Sequence, residues 1–240
     1  MQSGPPAAIL FDVDGTLIDD AYSVAAALRS FHTRYGDALG LSLEDLRLRW
    51  SELLNLHFAR YLAGEISMQE QRRARVLDLF RSTQLNLTLA DADAVFAVYE
   101  QRYRESWTAF PDAMPALSAL SGYELGVLTN GDLAQQTQKL QATGLASYFR
   151  HIFASSEMGC SKPHADAFLE SCSRLGVDPR RCVYVGDSLE IDARSSASAG
   201  LMSIWLDRGR SDSALEVGFQ VIHSLAELPD LMGKAGHIRD

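Results

Sequence analysis

Six short apolar runs recur along the chain, and none shows the alternation of apolar and polar residues that is typical of a half-exposed strand. They cover Ala7–Phe11, Leu125–Thr129, His151–Ala154, Cys182–Val185, Met202–Leu206 and Phe219–Ile222. Continuous apolar runs of this length are typical of strands that helices cover on both faces of a parallel sheet. The pattern therefore predicts a buried parallel sheet.

Helical segments alternate with these strands from the second run onward. They cover Leu133–Thr143, Ala165–Leu175 and Ile191–Ala199, and each is followed by a glycine. Glycine is a common helix stop because it adopts left-handed backbone angles without a Cβ clash. Repeated strand–helix units predict an α/β fold with a Rossmann-like, doubly wound parallel sheet.

More than 100 residues separate the first two apolar runs, although a βαβ crossover needs only about 30. Apolar side chains in this interval follow helical spacing, as in the stripes Val24/Leu28/Phe31/Tyr35, Leu46/Trp50/Leu53/His57/Tyr61 and Ala92/Phe96/Tyr99/Tyr103/Trp107. Ser67 with Glu70 adds a capping box that opens a further helix. We therefore expect an all-helical domain at residues 18–108, inserted into a core formed by residues 1–17 and 109–240.

The strongest polar signal follows the first predicted strand, where residues 11–17 read FDVDGTL. Side chains two residues apart at a strand end point the same way, so Asp12 and Asp14 can converge on one site. In open α/β sheets, ligands bind at the carboxyl ends of the strands. Two close carboxylates favour a bound cation or a shared proton, although a turn that merely ends the strand is the alternative.

Further polar residues follow the other predicted strands. They are Thr129, Asn130 and Gly131 after the second strand, Lys162 before Pro163, and Gly186, Asp187 and Ser188 after the fourth strand, with Asp192 beyond. The carboxyl ends of parallel strands share one edge of the sheet, so these groups are expected to gather there. In this order, they make the chain resemble the haloacid dehalogenase superfamily, whose motifs match residues 12–16, Thr129, Lys162 and residues 186–192. The helical insertion resembles that superfamily's class C1 cap.

The resemblance implies a phosphatase that works through an aspartyl-phosphate and needs Mg²⁺. Asp12 would be the nucleophile, and Asp14 would serve as general acid and then general base. Asp12, the backbone carbonyl of Asp14 and Asp187 would hold the Mg²⁺ ion. The expected phosphate-binding residues are Thr129, Asn130 and Lys162. The expected supporting residues, which orient these groups, are Thr16, Ser188 and Asp192, and direct ligation of the metal by Asp192 is the alternative.

The residues also weigh against other reactions of the superfamily. A halide leaving group needs no acid, so Asp14 disfavours dehalogenation. Residues 18–107 contain no lysine, which argues against phosphonate hydrolysis through an imine on a cap lysine. A phosphosugar mutase and a catalytically silent binding protein on the same scaffold remain the alternatives.

The expected substrate is a small phosphorylated metabolite, either a sugar phosphate or a nucleotide. Its selection is expected to lie in the helical insertion, where His57, Arg72 and Arg75 are the candidates. Packing of the histidine and solvation of the arginines are the simpler interpretations.

Composition and charge narrow the partners and the compartment. The chain has 240 residues with 22 Lys+Arg against 31 Asp+Glu, a net charge of −9, which disfavours nucleic acid and anionic membranes as partners. No apolar stretch approaches the roughly 20 residues that span a bilayer, and residues 1–8 lack a signal-peptide pattern, so a cytoplasmic location is expected. Cys160, Cys172 and Cys182 show no metal-site spacing and are expected to be reduced thiols.

Overall fold

The structure is a computed structural model that describes residues 4–211 and 218–236, except for the side chains of residues 234–236. It divides into two compact units, one formed by Met1–Asp19 with Thr108–Asp240 and the other by Asp20–Trp107. We call the first the sheet unit and the second the helical unit. The sequence analysis placed this division at residues 18 and 108.

The helical unit contains four helices: α1 (Asp20–Leu39), α2 (Leu43–Leu62), α3 (Met68–Phe80) and α4 (Leu89–Glu105). Helix α3 begins with the predicted capping box, in which Ser67 and Glu70 satisfy each other's backbone N–H groups. The predicted apolar stripes meet in one aromatic core, where the Trp50 ring lies 4.5 Å from Tyr99 and 5.5 Å from Phe31 between centroids.

In the residues that the structure describes, the sheet unit forms six parallel strands in the order β3-β2-β1-β4-β5-β6. They are β1 (Ala8–Phe11), β2 (Glu124–Thr129), β3 (His151–Ala154), β4 (Cys182–Gly186), β5 (Met202–Leu206) and β6 (Gln220–Ile222). The chain order along the sheet reverses at β1, between β2 and β4. Such a switch point is where ligands bind in doubly wound sheets, and the predicted fold class is confirmed.

Helices cover the sheet on both faces. They are α5 (Ala113–Ala119), α6 (Leu133–Ala142), α7 (Ser155–Met158), α8 (Ala165–Leu175), α9 (Ser195–Ser198) and α10 (Leu228–Gly236), with short 3₁₀ turns at Ala146–Tyr148, Pro179–Arg181 and Leu225–Glu227. Along β1, Ile9 and Phe11 join one apolar cluster and Ala8 and Leu10 join another. Both faces of the strand are therefore buried, which explains its continuous apolar run.

One predicted helix differs from the observed structure. The segment expected as a single helix at Ile191–Ala199 is a π-helical turn at Leu189–Arg194, followed by the short α9. The Ala193 N–H donates to the Ser188 carbonyl, five residues back, at 3.1 Å. This wider turn holds Asp192 against Gly186, where a Cβ atom would lie 2.5 Å from the Asp192 side chain.

Among residues 4–211 and 218–236, no helix combines the length and the apolar character that a membrane crossing requires.

Candidate active site

The loop after β1 carries Asp12 and Asp14 and is packed tightly against the end of β4. The Asp12 N–H donates to the Val185 carbonyl at 2.9 Å, which continues the strand pairing into the loop. Gly15 has φ +91°, and a Cβ atom there would lie 2.3 Å from Asp187 Oδ2. Only glycine fits this turn without displacing Asp187. Gly15 therefore determines how closely the loop after β1 approaches the end of β4.

A buried ammonium group joins three elements of the sheet unit. Lys162 Nζ donates to Asp12 Oδ1 and to Asp192 Oδ1, at 2.6 Å each, and to the Tyr184 hydroxyl at 2.8 Å. Lys162 is 3% exposed and Asp192 1%. Burial alone would lower the pKa of Lys162, but the Asp12 and Asp192 carboxylates raise it by more than burial lowers it. The net effect is a raised pKa, so the lysine stays charged.

The carboxylates outnumber this cation. One oxygen from each of Asp12, Asp187 and Asp192 lies within 4.8 Å of the others. Burial raises the pKa of Asp12 well above its ordinary value, and repulsion from Asp192 and Asp187 adds to the rise although Lys162 opposes it. Burial, followed by repulsion from Asp192, raises the pKa of Asp187 to about 6. The cluster is therefore short of positive charge, as a site for a divalent cation would be.

The hydrogen bonds suggest which oxygens could hold a metal ion. Asp192 Oδ1 contacts Lys162 and Tyr184, and Asp192 Oδ2 accepts the Ser188 N–H at 3.0 Å. Among the described residues, no hydrogen bond reaches Asp12 Oδ2. Asp187 Oδ1 accepts the Thr16 hydroxyl at 3.2 Å, and the side chain is partly exposed. Carboxylate oxygens with this geometry suit Mg²⁺, and Asp12 and Asp187 are the more available ligands.

Thr129 and Asn130 lie where β2 ends. Thr129 is 2% exposed, and its Oγ1 accepts the Gly131 N–H at 3.1 Å. Asn130 Oδ1 accepts the backbone N–H of Lys162 at 2.9 Å, and Asn130 Nδ2 donates to the Lys162 carbonyl at 2.7 Å. The Asn130 side chain thus fixes the backbone of the lysine in the site, a role that the sequence analysis did not assign to it.

The Asp14 side chain is held by helix α6. Asp14 Oδ1 accepts a hydrogen bond from Lys139 Nζ at 2.5 Å, and Asp14 Oδ2 accepts one from Gln136 Nε2 at 2.7 Å. Neither α6 residue was singled out from the sequence. Their spacing of three residues on a helix that follows a motif strand is the signal that could have revealed them.

Tyr184 is a second residue that the sequence analysis missed. Its hydroxyl accepts from Lys162 and lies 3.0 Å from Asp192 Oδ1 and 3.2 Å from the Leu128 carbonyl. Because Tyr184 stands inside an apolar strand, the sequence pattern indicates only a core position. In the structure, it completes the set of partners around the ammonium group.

The candidate selectivity residues lie inside the helical unit. His57 is 4% exposed, and its Nε2 lies 2.9 Å from Asp78 Oδ2. Arg72 pairs with Glu100 at 3.2 Å. Arg75 is 5% exposed with its guanidinium 4.8 Å from the Trp50 ring centroid, and no ion pair to it is found among the described residues. Burial lowers the pKa of Arg75 to about 10.

Comparisons with known proteins agree on the family. The sequence model of the haloacid dehalogenase-like hydrolases matches residues 6–200. A glyceraldehyde 3-phosphate phosphatase of Methanopyrus kandleri is 31% identical over 211 residues, 85% of this chain and 84% of the relative. The human N-acylneuraminate-9-phosphatase is 26% identical over 236 residues, 94% of this chain and 93% of the relative.

A solved structure supports the fold independently. The magnesium-bound HAD-hydrolase YfnB of Bacillus subtilis superposes with a TM-score of 0.80 at 23% identity, covering 95% of this chain and 99% of that chain. The predicted superfamily and the prediction of a hydrolytic enzyme within it are confirmed. The chain belongs to the haloacid dehalogenase-like hydrolases.

Proposed function

We propose that this protein is a Mg²⁺-dependent phosphomonoester hydrolase that forms an aspartyl-phosphate on Asp12. The observation that carries the proposal is the buried Lys162 ammonium, held at 2.6 Å between Asp12 and Asp192 at the switch point of the sheet. It leaves Asp12 Oδ2 without a hydrogen-bond partner among the described residues. A carboxylate oxygen that is fixed but unoccupied is suited to attack phosphorus.

In the first step, Asp12 Oδ2 forms a bond to phosphorus and the ester P–O bond breaks. The departing alkoxide takes a proton from Asp14, so that a neutral alcohol leaves. Lys162 and the Thr129 hydroxyl stabilise the charge that builds up on the phosphoryl oxygens. Thr129 is suited to this role because its Oγ1 accepts from Gly131, which leaves the O–H free to donate.

In the second step, Asp14 removes a proton from a water molecule, whose oxygen attacks the same phosphorus atom. The bond between phosphorus and Asp12 breaks, which regenerates the Asp12 carboxylate and releases inorganic phosphate. One residue thus serves first as acid and then as base, as microscopic reversibility requires of a two-step displacement.

Asp12 and Asp187, with the backbone carbonyl of Asp14, would hold Mg²⁺, and Asp12 would do so through the oxygen that does not attack phosphorus. When bound, the ion neutralises the phosphate dianion and the crowded carboxylates. Asp192 is engaged through both oxygens, so we assign it to holding Lys162 and Ser188. Thr16 and Gly15 would keep Asp187 in place.

The relatives support the substrate class in this proposal. The two relatives described above are named glyceraldehyde 3-phosphate phosphatase and N-acylneuraminate-9-phosphatase, which supports a small phosphorylated metabolite as substrate. We propose that it is a sugar phosphate or a nucleotide. We assign the selection of that substrate to the helical unit.

The test is phosphate release from a panel of sugar phosphates, nucleotides and phosphorylated carboxylic acids, with Mg²⁺ and with EDTA. We expect release from at least one metabolite, strong dependence on Mg²⁺ and loss of activity in Asp12→Asn. Asp230→Asn, at an exposed carboxylate on α10, is the matched control and should keep full activity. Undiminished turnover by Asp12→Asn would exclude the mechanism. Isomerisation of a phosphosugar without phosphate release would assign the protein to the mutases instead.

A further inference from the structure

Helix α6 presents two residues to the Asp14 carboxylate, and none of the expected roles uses them. We propose that Lys139 and Gln136 are positioning residues that hold Asp14 in the orientation in which it exchanges protons with the leaving group and water. The inference rests on the proposed function. It also specifies the substrate class as phosphate esters of aliphatic alcohols, because an alkoxide leaves poorly unless it is protonated.

The geometry of the contact is bidentate. Lys139 Nζ lies 2.5 Å from Asp14 Oδ1, and Gln136 Nε2 lies 2.7 Å from Asp14 Oδ2. Asp14 itself keeps 35% of its side chain exposed. A half-exposed aspartate would otherwise sample several staggered rotamers, whereas hydrogen bonds to both oxygens restrict it to one.

The burial of the two partners points to more than a surface ion pair. Lys139 is 0% exposed and Gln136 is 1% exposed. Burying an ammonium group is unfavourable, and replacing a buried ion pair by apolar residues of similar volume is often neutral or stabilising. Packing alone therefore gives no reason for a lysine here, while the orientation of a reacting carboxylate does.

The turn before α6 is also shaped around this contact. A Cβ atom on Gly131 would lie 2.4 Å from Gln136 Nε2, the same nitrogen that donates to Asp14. Asp132 caps α6 by accepting the Gln135 N–H at 2.9 Å, which fixes where the helix begins. The turn that follows Thr129 thus places Gln136 and Lys139 one helical turn apart, both directed at Asp14.

The consequence for catalysis depends on the leaving group. A misplacement of about 1 Å can slow a reaction about 100-fold, but only where the misplaced group acts. An aryl phosphate such as p-nitrophenyl phosphate releases a stable phenolate and needs little help from an acid. An alkyl phosphate releases an alkoxide and needs the proton from Asp14.

The experiment compares kcat/KM on an alkyl phosphate, the best substrate of the metabolite panel, with kcat/KM on p-nitrophenyl phosphate. This ratio reports the steps up to release of the alcohol and excludes hydrolysis of the aspartyl-phosphate, in which Asp14 acts on every substrate alike. The variants are Lys139→Met, Gln136→Met and Asp14→Asn, and the control is Gln141→Met at an exposed position of the same helix. We expect Lys139→Met to lower kcat/KM on the alkyl ester about 10- to 100-fold and to lower kcat/KM on the aryl ester much less. Asp14→Asn should show the same selectivity, and its combination with Lys139→Met should add little.

Equal losses of kcat/KM on both esters, or no loss on either, would overturn the proposal. Gln136→Met gives the same test if Lys139→Met fails to fold. Glutamine is uncharged, so its replacement does not leave a charged group without its ion-pair partner. The outcomes also separate the two proposals. The proposed function is refuted if the wild-type protein has no phosphatase activity or if Asp12→Asn is active. The positioning role alone is refuted if the enzyme is active but its leaving-group selectivity does not change in Lys139→Met and Gln136→Met.

Discussion

Replacing Lys162 by methionine removes the only cation that touches both Asp12 and Asp192 in the described part of the chain, while keeping the apolar stem. The lysine donates three hydrogen bonds of 2.6, 2.6 and 2.8 Å inside the buried cluster. Removing one partner of a buried ion pair costs about 3–5 kcal/mol, because the remaining charges stay buried without compensation. We expect the free energy of unfolding of metal-free protein near neutral pH to fall by about that amount.

The pH dependence identifies the cause of this loss. Burial already raises the pKa of Asp12 with Lys162 present, and removing the lysine raises it further. Protonated carboxylates need no counter-charge, so the difference between wild-type and Lys162→Met protein should shrink as the pH is lowered. A packing defect at the methionine would instead persist at every pH.

The assay is urea unfolding in EDTA, followed by circular dichroism at several pH values. The double variant Lys162→Met/Asp192→Asn removes a carboxylate together with the lysine and should recover part of the lost stability. Equal stability of wild-type and Lys162→Met protein near neutral pH would refute the buried-charge argument. So would a loss that does not change with pH.

Three further predictions concern the metal site and the loops around it. In the metal-free protein, burial raises the pKa of Asp187 to about 6, above the value of about 3.9 in the unfolded chain. The free energy of unfolding should therefore fall as the pH rises from about 4 to about 6. Because protons compete with the metal for this carboxylate, Mg²⁺ should raise the melting temperature more at pH 8 than at pH 5. A Mg²⁺ effect that is independent of pH would argue against Asp187 as a ligand. Gly15→Ala places a methyl group 2.3 Å from Asp187 Oδ2, on a residue whose φ is +91°. We expect this variant to bind Mg²⁺ about 10- to 100-fold more weakly, as measured by calorimetry. Unchanged affinity would show that the loop accommodates the methyl group without displacing Asp187. Arg208 makes a bidentate pair with Asp112 at 2.9 and 3.0 Å and donates to the Thr16 carbonyl at 2.9 Å. Arg208→Met should therefore lower the free energy of unfolding by about 2 kcal/mol. A urea midpoint equal to that of the wild-type protein would refute this prediction.

The strands were predictable because helices cover both faces of the sheet, so every strand residue is selected for apolar character. The carboxyl ends of parallel strands share one edge, and the structure brings Asp12, Thr129 and Asp187 together there. The distances between them were not predictable, because they depend on contacts such as that between Gly15 and Asp187, whose residues lie far apart in the sequence.

The missed residues show where sequence patterns lose information. Lys139 lies in the middle of a helix, where lysine is usually solvated, and its burial depends on Asp14, which lies far away in the chain. Tyr184 counts as apolar in a strand, although its hydroxyl contacts Lys162. The π-helical turn around Asp192 was missed because helical periodicity does not distinguish a wider turn from a regular one.

The most direct test of the central claim is mass spectrometry of protein quenched with acid during turnover of a panel substrate with Mg²⁺. We predict one phosphoryl group on the tryptic peptide of residues 1–29, located by fragmentation at Asp12. With p-nitrophenyl phosphate, whose phenolate leaves without an acid, its population should rise in Asp14→Asn, because that variant lacks the base for the second step. It should be absent in Asp12→Asn. The aspartyl-phosphate mechanism would be contradicted if the wild-type enzyme releases phosphate from p-nitrophenyl phosphate but Asp14→Asn shows no phosphorylated peptide with the same ester. A phosphoryl group on another residue would also contradict it.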